Sequence, residues 1–177
     1  MEEKKIHESK IVDVEVDKSN LELLKESYFI LQKHHGLPSF EELNLDFQIE
    51  KIQEEETEVL VREIRRYVSE KFSTYLRFIE TLIQPTNAPL FVFSMLKNLN
   101  TEDMASLQLI YKKLAKKEIE VITLDLKFNL EGEISFIKSS FDMWQELKEE
   151  LLLIIEKTKK GWDTNGNTEN NGRNYFG

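Results

Sequence analysis

Residues 50–85, EKIQEEETEVLVREIRRYVSEKFSTYLRFIETLIQP, decide the fold class. Leu60, Ile64, Val68, Phe72, Tyr75, Ile79 and Leu82 recur at steps of three and four, which places them on one face of a 3.6-residue helix. Tyr67 and Phe78 widen that stripe. Glu50, Glu54, Glu55, Glu56 and Glu58 crowd the amino-terminal side, where carboxylates favour the helix dipole, and Glu58 precedes Arg62 by one helical turn. Neither glycine nor proline interrupts the run before Pro85. The spacing predicts a single helix from near Glu50 to Pro85, about 35 residues and about 52 Å long at 1.5 Å per residue. A compact domain of this length is narrower than that. The helix is therefore expected to bend near Ser69 to Ser73 or to extend past the core.

Working outward, the chain is poor in turn residues where it matters. Gly36 is followed by no glycine until Gly132, and the three prolines are Pro38, Pro85 and Pro89. Hairpin-rich chains need glycine where φ is positive, so this middle section reads as helices. Ser19 or Asn20 caps a first helix to about His34, closed by Gly36, with Leu21, Leu24, Tyr28 and Leu31 as its stripe. Glu41 to Leu45 suits a short helical turn. After Pro85, Asn87 caps a short helix over Leu90 to Leu99 that is apolar almost all round, a pattern that demands a central place in the core or a covering partner. Asn100 or Thr101 starts a further helix with the stripe Met104, Leu107, Ile110, Tyr111 and Leu114.

Two segments read ambiguously. Val12, Val14 and Val16 alternate with Asp13, Glu15 and Asp17, the period of a strand, so residues 11–16 are either a strand or an extended arm. Residues 119–136 read either as a β-hairpin turning at Asn129-Leu-Glu-Gly132 or as a helix continuing to about Phe128. From about Glu133 the helical period returns through Ile137, Phe141, Trp144, Leu147, Leu151 and Ile154, with Gly161 as the expected stop. The expected fold is all-α: an irregular bundle of four to five helices around one long central helix, with a small β element at 11–16 or 119–136 as the one departure. Residues 1–18 are expected to form a mobile or extended arm, 19–160 one helical domain, and 161–177 a disordered Asn/Gly-rich tail.

Composition narrows the chemistry. With no cysteine among 177 residues, disulfides, thiolate metal sites and cysteine nucleophiles are excluded. The amino terminus lacks the apolar stretch of a signal peptide, and apolar runs such as Leu151 to Ile155 are too short to span a bilayer, so a cytoplasmic protein is expected. A net charge of −9 weighs against nucleic acid as the main partner.

No catalytic, metal or cofactor site is assigned, and no phosphate loop or nucleophile elbow is present. His34 and His35 are neighbours whose rings cannot point the same way on a helix, and no glutamate stands three residues before a histidine as di-iron bundles require. The Glu50 to Glu58 run reads as a solvated face. Two basic stripes, Arg62, Arg65 and Arg66 on one helix and Lys112, Lys113, Lys116 and Lys117 on another, are the candidates for a phosphate or RNA contact. Leu90, Phe91 and Phe93, with Tyr175 and Phe176 closing the polar tail, are the candidates for a protein contact. The expected function is a non-enzymatic helical interaction or scaffold protein, binding a protein partner or itself. The alternative is a nucleic-acid-associated accessory protein using the basic stripes.

Overall fold

The structure is a computed structural model that describes residues 18–54 and 59–166. Among these residues the chain forms six α-helices and no strand: α1 (Asn20–His35), α2 (Phe40–Phe47), α3 (Leu60–Ile83), α4 (Leu90–Leu96), α5 (Thr101–Leu126) and α6 (Leu130–Gly166). The all-α reading holds. The strand read at 11–16 lies outside the described residues, as does the end of the tail with Tyr175 and Phe176.

Local chemistry sets the first two helices. Ser19 accepts a hydrogen bond from the Glu22 backbone while the Glu22 carboxylate accepts one from the Ser19 backbone, a reciprocal cap. Ser39 and Glu42 repeat the device at the start of α2. Gly36 ends α1 at φ 61°, a left-handed conformation that L side chains rarely adopt.

The long helix departs from expectation. Its first part is a separate 3-10 helix, Ile49–Glu54, and α3 begins only at Leu60. The chain turns at Gln48, where φ is 57°, and Asn44 pins the new direction by accepting from the Glu50 backbone at 2.9 Å. In the tighter helix Ile49 and Ile52 stack on one side, and both are buried. In the sequence no apolar side chain follows Ile52 until Val59. At 24 residues α3 spans about 36 Å and needs neither a bend nor a projection. The longest helix is α6, with 37 residues. It runs through Gly161, expected as its stop; one helical glycine costs about 1 kcal/mol, too little to end a helix by itself.

The hairpin alternative for 119–136 is also overturned. Residues through Leu126 are helical, and Asn129 serves as the start of α6, its side chain accepting from the Glu131 backbone at 3.1 Å and its carbonyl from Glu133 at 2.9 Å. The apparent alternation fails because Ile122, Leu126 and Phe128 are exposed rather than sharing a buried strand face.

α3, α5 and α6 form the frame. Tyr75 stacks on Trp144 at 5.1 Å and Arg65 meets Glu133, so α3 and α6 run parallel. Lys113–Glu146 and Asp103–Lys157 contacts set α5 antiparallel to α6. α2 closes the middle of the frame: Phe47 packs edge-on to Phe72 at 5.9 Å, and Asp46 accepts from Gln145 at 2.7 Å. Phe72, buried and in contact with Phe47 and Trp144, joins three helices. Phe72→Ala is expected to cost about 3–5 kcal/mol of stability, read as a lower urea midpoint with an unchanged slope.

Candidate functional site

α4 is built by its flanks. Pro85 opens a 3-10 turn to Asn87, Ala88 is extended, and Pro89 caps α4 with φ at −56°. Two prolines thus fix where the seven-residue helix begins. At 100° per residue Val92 and Leu96 fall on one side, which packs against α6 and α3. Leu90 lies opposite and is 87% exposed, while Phe91 and Phe93 flank it at 47% and 46%. A central core position is thereby corrected: Val92 is the buried residue of this helix, and the outer side faces solvent. A polar depression of about 410 Å³, lined by Glu80, Gln84 and Thr86 among others, opens beside the start of α4.

The basic residues are distributed differently from two continuous stripes. Arg65 and Lys117 are buried. Arg65 donates from Nη2 to Asp125 at 2.6 Å, and its Nε lies 2.6 Å from Glu133 Oε2. Lys117 is held between Glu120 at 2.6 Å and Ser139 at 2.8 Å. Arg66 bridges Glu63 and Glu70 along α3, and Lys113 reaches Glu146 at 3.4 Å. Arg62 covers the Phe128 ring at 4.8 Å. Lys112 and Lys116 stand on the exposed side of α5.

The Arg65 cluster is the most unusual electrostatic feature of the described core. It joins the second turn of α3 and the first turn of α6 to the last turn of α5. Glu133 has no exposed surface, and neither of its oxygens has a well-aligned hydrogen bond, so the contact with Arg65 is an ion pair first. Burial pushes the Glu133 carboxyl above its ordinary range, against the opposing pull of Arg65 and Arg62. A carboxyl this enclosed offers no face to a substrate; its chemistry is to bind or release one proton and to hold three helix ends. A signal for it exists in the sequence: Glu133 shares a helical face with Ile137 and Trp144, and Arg65 one with Val61, Val68 and Phe72.

Elsewhere, His34 pairs its Nδ1 with the Ile30 carbonyl at 2.8 Å, and the His35 carbonyl accepts from Lys138. No group of three or more His, Asp or Glu side chains among the described residues is arranged to hold a metal ion. No helix among them is long and apolar enough to cross a membrane. Also outside the sequence reading was the exposed apolar run at the end of α5, from Ile119 to Leu126, continuing to Phe128 and Leu130. No family model, curated protein or solved structure matches this chain.

Because Glu133 holds its proton more tightly folded than unfolded, its contribution favours folding below the ordinary value of 4.5 and is lost as pH rises through the raised folded value. Relative to Glu133→Gln, the natural protein should therefore lose stability in urea titrations as pH rises from below 4.5 through the raised folded value. A difference that stays flat or grows over that range would mean that Arg65 outweighs burial.

Proposed function

We propose that this is a non-enzymatic protein-interaction module whose docking element is α4, presenting Leu90, Phe91 and Phe93 to an apolar groove on a partner protein. The observation that carries the reading is the division of α4: its inner side is anchored by Val92 while three large apolar side chains face outward. Leu90 and Phe93 stand three residues apart, a spacing that an amphipathic helix laid in a groove uses for its anchors. The prolines and the packing on α6 hold α4 in place beforehand, which lowers the ordering cost of binding. The basic stripes support the nucleic-acid alternative less well, since Arg65 and Lys117 are engaged inside the bundle. The cysteine-free composition accords with a reducing cytoplasm as the setting.

The test is capture with the full chain against a Phe91→Ser/Phe93→Ser double variant. A specific partner should be retained by the natural protein and bound at least about 30-fold more weakly by the variant, the scale of losing central hot-spot side chains. Both positions are partly exposed, so thermal unfolding of the two proteins should nearly coincide. Equal capture by both proteins removes α4 from the role.

A further inference from the structure

The outward side of α5 changes character along its length. Lys112 and Lys116 occupy its middle, and Ile119, Ile122 and Leu126 follow on the same exposed side. Leu126 is 85% exposed, and Phe128 and Leu130 continue the apolar surface into the turn before α6. Single exposed hydrophobic residues need no explanation, but five large ones within twelve positions form a patch. It sits on a firm base: the Arg65 cluster ties down the helix ends beneath it, and Arg62 braces Phe128. Exposed lysines flank the patch. From Lys112 to Leu130 the exposed lysines are Lys112, Lys116 and Lys127, while Lys113 reaches Glu146 and Lys117 is buried against Glu120.

A concave counterpart lies on α1 and α2. A groove of about 560 Å³ runs between them, within the size range, roughly 300–1,000 Å³, of sites that enclose a ligand. Tyr28 and Phe40 form its floor, edge to face at 5.5 Å, and the Tyr28 hydroxyl donates away to the Pro38 carbonyl at 2.7 Å. Phe29 and Ile30 form an exposed apolar wall, with Glu41 and Glu26, the latter paired with Lys18, at the rim and Lys25 over the Phe40 ring at 5.4 Å. This region is acidic: Asn20 to Phe47 holds five carboxylates against two lysines.

We propose that these two faces bind each other between copies of this chain, the α5–α6 turn of one molecule entering the α1–α2 groove of the next. Apolar knob meets apolar groove, and the exposed Lys112, Lys116 and Lys127 of one copy meet a region of the other that holds five carboxylates against two lysines. Both faces are exposed in one chain, so neither covers the other within the molecule. The contact is heterologous, and repeated it builds rings or open chains rather than a closed two-fold dimer. A patch of five side chains supplies only part of the roughly 800 Å² per partner of a standard interface, so the association is weak and concentration-dependent. The surfaces differ from α4, and the proposal stands or falls apart from the partner-docking reading.

Sedimentation of the full chain tests it. The natural protein should grow in mass with concentration beyond the dimer, and less so at high salt. Leu126→Lys, which blocks the knob, and Ile30→Lys, which blocks the groove, should each remain monomeric with unchanged thermal unfolding. Mixed together they should form a dimer and stop there, because the pair retains one intact knob and one intact groove. A strictly monomeric natural protein overturns the proposal. So do single variants that associate as the natural protein does, or a mixture that stays monomeric while the natural protein associates. Should either variant unfold, Ile122→Glu and Phe29→Lys take the same places in the mixing experiment.

Discussion

The structure depends on the register of α3 against α6. Two contacts fix it: Arg65 with Glu133 near one end, and Tyr75 with Trp144 in the middle. The interval is ten residues on α3 and eleven on α6. At 1.5 Å per residue these rises are about 15 and about 16 Å, so both contacts can be satisfied by two nearly parallel helices without bending either. α5 keeps the same measure in reverse. Asp125 reaches Arg65, and Glu118 accepts from Ser73 two turns farther along α3. Once these three helices are aligned, α2 can lay Phe47 against Phe72 and Trp144, and α4 can close over α6.

An ion pair buried this deeply is a poor source of stability, because desolvating both charges offsets much of their attraction. Its stronger effect is on specificity. An apolar layer tolerates sliding by one turn, whereas Arg65 displaced from Asp125 and Glu133 would leave buried charge without a partner, at a cost of about 3–5 kcal/mol. The cluster thereby selects one alignment of three helix ends. It also determines what the α5–α6 turn can present, since Asp125 is adjacent to Leu126 and Glu133 lies one turn into α6. The turn places Leu126, Phe128 and Leu130 outward.

The elements most legible in the sequence were those governed by neighbouring residues. Ser19 and Gly36 announce both ends of α1 because caps act within one turn, and the stripe from Leu60 to Leu82 marks α3 because the period persists over six turns. Legibility failed where a distant partner decides. The glutamates from Glu50 onward favour a helix start by charge, but the core position of Ile49 and Ile52 imposes a 3-10 turn and a change of direction. Periodicity gave the apolar character of α4 and could not say which side packs, since that depends on α6. Arg65 looked like one of three similar arginines; its role is set by Asp125 and Glu133, 60 or more positions away in the chain.

Charge and exposed apolar surface bear on each other. A molecule that shows Leu90, Phe91 and Phe93 at one place and Ile119 to Leu130 at another would, if neutral, risk indiscriminate association. The net charge of −9 opposes that, because copies repel at long range and approach only where local charge is favourable. Repulsion between acidic molecules is weakest along the lysine-rich side of α5, so this side is where another acidic chain can come close enough for dispersion and desolvation to act. In the proposed contacts, therefore, the acidic balance would suppress association in general and the exposed apolar faces would reward those few approaches that charge permits.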